Sequence, residues 1–312
     1  MPLNINSTHL HRQHLTSWAL LGRISVKRFV FFGVLFIITI WYGHAPAADC
    51  RLGADFYYRA KSAASQQQRI EWLQRSTAVC PNFNAWYLLG LLFRAQDQLD
   101  QAIDAFTQAR AVAGSIRAEA LALGRNGEIL SRTGHLPQAL RELELAKQFH
   151  PPPAPAWLDT ALRNARTQFF QSVMAAEDIA SFLDAGLYVS KNGKFTVRPT
   201  VNLPVHFDFD RADLNAAGNR QVVELGRALS RAKMRPTSFL LVGHTDKRGP
   251  GWYNQILSEK RANTVKVKLE QLFPSLVGQL KATGRGETQL LYDGDVETDH
   301  RLNRRVKVTL VP

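Results

Sequence analysis

The sequence predicts a multidomain protein: an N-terminal all-α helical-repeat region followed by a C-terminal α+β domain in the order β-α-β-α-β-β. Apolar residues recur at helical spacing between residues 52 and 183, and within that stretch one pattern returns in the same register. From Val201 the period switches to short strands separated by helical stretches. The chain has 312 residues and is 45% hydrophobic, enough for two modest cores. The expected boundaries are a leader or anchor over 1–48, helical repeats over 49–183, a linker over 184–200 and the α+β domain over 201–312.

The leader comes first. Arg12, Arg23, Lys27 and Arg28 precede an apolar run, Phe29–Tyr42, with no acidic residue among them. Ala45-Pro46-Ala47-Ala48 follows as a small-x-small site. This is the pattern of a secretory signal, and the run falls short of the ~20 apolar residues of a membrane span. A cleaved signal is the first reading and an uncleaved anchor the second. Both place the rest of the chain outside the cytoplasm, in the periplasm, with association with the inner or outer membrane left open. An exported location predicts a Cys50–Cys80 disulfide. Asp49 stands where a lipoprotein signal needs a small residue, which argues against a lipid on Cys50. The net charge of +13 favours an anionic contact. No basic stretch interleaved with aromatics singles out nucleic acid, and none is expected as a partner.

Residues 52–80 read as one or two helices stopped by Pro81. Trp86, Leu89, Gly90 and Phe93 then share a face of one helix, and Ala102, Phe106 and Ala109 share a face of the next, with Asp97-Gln98-Leu99 at the turn. Gly127, Leu130, Ala139, Leu143 and Ala146 repeat those offsets, with Gly134 at the turn. Ala102 and Ala139 lie 37 residues apart, which places a short insertion in 113–116. The spacing resembles the tetratricopeptide repeat, whose small residues let antiparallel helices approach closely. Two repeats alone expose apolar ends, so the flanking helices, 52–80 and about 155–183, are expected to cap them. The resemblance implies a groove for a protein partner.

In the linker, Asn192-Gly193 between Leu187–Val189 and Phe195–Val197 suits a small hairpin. In the α+β domain, Leu203–Phe209 alternates as a strand, and 214–232 is helical with Val222, Leu225 and Leu229 as its buried stripe and Asn215 as N-cap. Phe239–Val242 is a continuous apolar strand ending in Gly243-His244-Thr245-Asp246. A helix is expected from Asn254 to about Leu272, a short strand at Leu280–Gly284, and, after a long loop, a strand at Arg305–Val311 with Val306, Val308 and Leu310 inward and Arg305 outward; of Arg304 and Arg305, one is expected to face the site or the acidic loop and the other solvent.

Several separated motifs in this domain resemble the OmpA/MotB C-terminal domain. They are Gly243-His244-Thr245-Asp246-x-x-Gly249, then Tyr253-Asn254-x-x-Leu257-Ser258-x-x-Arg261-Ala262, then Gly284-x-Gly286-Glu287 and Asn303-Arg304-Arg305-Val306. The resemblance covers roughly 199–312 and implies non-covalent binding of peptidoglycan through the diaminopimelate of its stem peptide. It implies Asp246 for the ammonium of that head group and Arg261 for its carboxylate, with Asn254 and Thr245 in support. The residues fit such a ligand: Asp246 follows a central strand, where open α/β sheets place ligands. Arg261 lies two turns into the next helix, ~10 Å from its start, and its fork can pair a carboxylate bidentately. Two local alternatives stay open: Asp246 and Arg261 could pair with each other, and Asn254 could be only an N-cap.

His244 is expected to pack or hydrogen-bond locally, on the strand face opposite its neighbours. Asp293, Asp295, Glu297 and Asp299 alternate as in a calcium loop, but Thr298 stands at the turn-glycine position and Arg304 at the bidentate-glutamate position, so no metal is expected. No cofactor is expected either. The chain reads as a non-catalytic adaptor with peptidoglycan and a protein as partners. A stator-like or secretion-system wall anchor in the inner membrane and a cell-wall hydrolase are the weaker alternatives.

Overall fold

Helix-start signals place the first half of the molecule. In the computed structural model, which describes residues 49–184, 188–189, 196–207, 211–231 and 238–311, eight helices precede the first strand. They are α1 (Cys50–Ser62), α2 (Gln66–Val79), α3 (Phe83–Ala95), α4 (Leu99–Ala111), α5 (Ile116–Arg132), α6 (Leu136–Phe149), α7 (Ala156–Phe169) and α8 (Ala176–Asp184). Asp49, Ser65, Asn82 and Ser115 each accept a hydrogen bond from the backbone N–H three residues on, capping α1, α2, α3 and α5. The basic leader and apolar run lie outside the described residues, as do Phe209, Ala232 and the Asn192-Gly193 pair. Among the described residues no helix is long and apolar enough to cross a membrane.

A disulfide joins Cys50 at the start of α1 to Cys80 after α2, across a separation of 30 residues. The following hairpins, α3/α4 and α5/α6, share one packing device. A Cβ added at Gly90 would meet the Phe106 ring at 2.6 Å, and one added at Gly127 would meet Leu143 Cγ at 2.8 Å. Both pairs lie 37 positions apart, so the second hairpin reproduces the contact of the first with Leu for Phe. Ala102, Phe106, Ala109, Ala139, Leu143 and Ala146 are all fully buried. The helical stretch after Pro155 is two helices, broken at 170–175. Gln221 and Glu224 fill the break: Gln221 both accepts from Met174 N and donates to Met174 O, and Glu224 accepts from Ala176 N.

The second half carries hairpin β1 (Tyr188–Val189)/β2 (Thr196–Val197), then β3 (Thr200–Leu203), α9 (Ala216–Leu229), β4 (Ser238–Gly243), α10 (Gly251–Leu272), β5 (Leu280–Gly284), α11 (Glu297–Asn303) and β6 (Val306–Val311). The four-stranded sheet has the order β3-β6-β4-β5, with β4 and β5 parallel and the other pairs antiparallel. The described residues fall in one compact unit. One apolar core runs from Leu143 and Leu162 through Ile179 and Leu183 to Val201, Leu225, Phe239 and Val306, and Val197 of the expected linker packs against it.

Four expectations need correction. The first strand of the sheet is Thr200–Leu203, not Leu203–Phe209. Pro204 has no N–H for the ladder, and Phe207 makes only an isolated bridge to Leu214. The long loop before β6 contains α11. Helix α10 begins at Gly251, three residues before Asn254, with Pro250 at its cap. Arg305 does not face solvent: it is 5% exposed and donates to Asn202 Oδ1 and to the carbonyls of Gln289 and Asn303. Its side of the sheet lies near Arg166 and Glu144 of the helical half, and burial, then Arg166, pushes its pKa down to about 9 against the pull of Glu144.

Candidate functional site

The end of β4, the first turns of α10 and the face of α11 enclose a cleft of about 740 Å³. Thr245, Asp246, Arg248, Tyr253, Asn254, Leu257 and Arg261 line it, together with His206, Phe207, Glu297, Arg301 and Arg304. The backbone brings these elements together through a close approach. A Cβ on Gly243 would lie 2.1 Å from Ser258 O, so α10 can press on the end of β4 only where that residue is glycine. Ser258 Oγ accepts from Gly286 N and donates to Gln255 O, tying the loop after β5 to the same helix.

Asp246 is buried yet charged. Its Oδ1 accepts from Arg248 N and Nε, and its Oδ2 accepts from one guanidinium nitrogen each of Arg248 (2.7 Å) and Arg304 (2.6 Å). Burial raises its pKa, but the bonds from Arg248 and Arg304 outweigh burial and hold it at about 2. Arg261, 7% exposed, donates from Nε to Arg211 O at 3.0 Å and stacks over the Phe207 ring at 4.9 Å. Asp246 and Arg261 are therefore not partners of each other; they line one cleft from two elements.

The other expected residues fall nearby. Thr245 donates its backbone N–H to Gly286 O, and its hydroxyl is buried with no hydrogen-bond partner. Asn254 is not a cap. Its Nδ2 donates to Arg248 O, at 3.0 Å, and to Glu287 Oε2, which pins the turn after Asp246 to the loop after β5. His244 lies outside the cleft, 2% exposed, with neither ring nitrogen hydrogen-bonded. It packs as expected but makes no local side-chain bond. Burial, then Arg305, Lys307 and Arg285, hold its pKa down at about 3.

Arg248 is a functional residue that the sequence reading did not assign; of Arg304 and Arg305, Arg304 is the one that faces the site and the acidic segment, and Arg305 is buried and not solvated. Arg248 and Arg304 each also pair with Glu297, so two arginines and two carboxylates form one chain across the mouth of the cleft. The acidic segment disperses onto separate cations: Asp293 and Asp295 to Lys247, Glu297 to Arg248 and Arg304, and Asp299 to Arg163 of α7. Asp299 is 2% exposed, and Arg163 also stacks on Tyr292 at 4.1 Å while Arg166 donates to the Tyr292 hydroxyl at 3.2 Å. Helix α7 thereby braces the wall of the cleft formed by α11.

Residues 206–304 match the family model described as the OmpA family, so this part of the chain is an OmpA-family domain. Outer membrane porin F of Pseudomonas fluorescens is 35% identical over 112 residues, 35% of this chain and 33% of that protein. The peptidoglycan-associated lipoprotein of Buchnera aphidicola is 29% identical over 101 residues, 32% of this chain and 57% of that protein. Among solved structures, the cell wall anchor of the T6SS from Pseudomonas aeruginosa is 23% identical, covering 44% of this chain and 96% of that one, with a TM-score of 0.34. The chain spans about a third of the length of the curated porins it matches.

Proposed function

We propose that the chain is a non-catalytic, periplasmic, wall-attached adaptor whose cleft binds peptidoglycan through the diaminopimelate of the stem peptide. Asp246 takes the ammonium of that head group and Arg261 its carboxylate, with the unpartnered Thr245 hydroxyl as a third contact and Asn254 holding the Asp246 turn in place. The observation that carries this reading is that Asp246 and Arg261 line one open cleft without being spent on each other. A zwitterionic head needs such a separated anion and planar cation, and each charge-assisted bond contributes about 1.5–3 kcal/mol.

All the acceptor positions of Asp246 are filled in the structure, so the incoming ammonium replaces a guanidinium. Arg248 is the one to leave: its side chain is half exposed, that of Arg304 a third. The exchange swaps one cation for another at Asp246, and Arg248 keeps Glu297 as a partner. The helical hairpins, with their likeness to tetratricopeptide repeats, would hold the protein partner.

Pull-down by purified sacculi tests this. Asp246→Ala and Arg261→Ala each reduce retention to background while thermal unfolding still shows a folded domain. Retention of both variants at the wild-type level would refute the site.

A further inference from the structure

We infer that Arg301, beside His206, forms a second anion subsite in the same cleft, which takes a carboxylate of the stem peptide other than the one on the diaminopimelate head. The inference rests on the peptidoglycan reading above and extends it from the head group to the neighbouring residues of the ligand.

The argument begins with charge. The head group brings one ammonium and one carboxylate, so binding it leaves the net charge of the cleft unchanged. Among the described residues, Arg248, Arg261, Arg301 and Arg304 line the cleft against Asp246 and Glu297. Arg248 and Arg304 are both engaged with those two carboxylates, and Arg261 is assigned to the head. Arg301 stands apart. Among the described residues it makes no ion pair, and its Nε is buried without a hydrogen-bond partner. That nitrogen is closed off from solvent, so the part of Arg301 that a ligand oxygen can meet is the rest of the fork, on the side that lines the cleft.

The geometry places Arg301 where a longer ligand would reach. It follows Glu297 by four residues on α11, so both project from one face of that helix into the cleft. Helix α11 is held to α7 by the Arg163–Asp299 pair. His206 lines the same cleft, half-buried, its pKa lowered by burial, then by Arg301, then by Arg304. Arg301 and His206 therefore give the cleft a positive corner whose guanidinium has no acidic partner among the described residues, while Arg304 near it is already paired with Asp246 and Glu297. A planar carboxylate is the group a guanidinium fork pairs best. Stem peptides carry two candidates: the α-carboxylate of the γ-linked glutamyl residue, and the carboxylate that ends the peptide.

The test uses calorimetric titration of the full chain with three soluble stem tripeptides: one with every carboxylate free, one amidated at the glutamyl α-carboxylate, one amidated at the terminal carboxylate. Wild type is expected to bind the free peptide about tenfold more tightly than one of the amidated peptides, and that peptide identifies the carboxylate. Arg301→Gln is expected to weaken the free peptide by about the same factor and to lose the preference. Arg301→Lys, which keeps the charge, retains part of it and serves if the Gln variant does not fold. If Arg301→Gln leaves the preference intact, or weakens all three peptides equally, the subsite is wrong while the head-group reading stands. If wild type discriminates among none of the three, the subsite is again wrong. If wild type binds none, both readings fall.

Discussion

The helical half and the OmpA-family half use the same packing device and both bury charge, but only the second opens buried charge onto a cleft. In the first, Gly90 admits Phe106 and Gly127 admits Leu143; in the second, Gly243 admits the backbone of Ser258. The ion pairs of the helical half include many near the surface, such as Arg59–Asp55 and Arg132–Asp97. Both halves also hold charged or titratable groups inside, Glu119, Glu142, His150 and Arg166 in the first and His244, Asp246, Arg261, Asp299 and Arg305 in the second, but only in the second do two of them, Asp246 and Arg261, line the cleft. Close packing alone makes a stable framework. A binding site needs charge kept where water does not screen it, and that charge must be held by partners or lose its ionisation.

Variants can break this comparison, starting with the largest expected effect. Phe106→Ala removes a fully buried ring from the core of the first helices, which is separate from the core beneath the cleft. It should cost about 3–5 kcal/mol in urea unfolding and leave sacculus binding unchanged under conditions where the chain is folded. Loss of binding in the folded variant would show that the first helices are coupled to the cleft more tightly than their separate core indicates.

Acid should act on the second half. The folded pKa of His244 is about 3, below the ordinary 6.5. The unfolded chain therefore takes up a proton that the folded one refuses. Stability is full above pH 6.5 and is lost as the pH falls toward 3, amounting to roughly 3 kcal/mol by pH 4. His244→Leu should flatten that slope in denaturant titrations at pH 7 and pH 4. An unchanged slope would mean that His244 does not bear the acid sensitivity. Asp246, held at about 2, keeps its charge across the same window, so ligand binding should not be lost through it.

The smallest effect is expected at the rim of the helical half. Arg132→Ala removes an exposed pair with Asp97 and should shift stability by under about 1 kcal/mol. A larger loss would undo the contrast between screened and buried charge.

Much of this was legible in the residues. The repeat offsets located the α3/α4 and α5/α6 hairpins, and the Gly243–Asp246 and Tyr253–Ala262 motifs located the cleft, because each depends on local spacing. What was not legible depended on partners distant in sequence. Arg305 sits on an alternating strand and reads as solvent-facing, but Asn202, Gln289 and Asn303 surround it. Asn254 looks like a helix start because no residue pattern shows that Glu287, 33 positions away, holds its amide. The pairing of Arg304 with Asp246 spans 58 positions and depends on α11, which sequence periodicity did not reveal. The Asp-x-Arg spacing of Asp246 and Arg248 was a local signal for half of that network.

The central claim is that Asp246 reads an ammonium and Arg261 the carboxylate on the same carbon. Calorimetric titration of the full chain with free diaminopimelate, and with pimelate, which lacks both α-amino groups, tests it most directly, in wild type and in Asp246→Asn. Wild type should prefer diaminopimelate by about tenfold or more, and Asp246→Asn should bind both compounds weakly and alike. A variant that still prefers diaminopimelate as strongly as wild type would contradict the assignment.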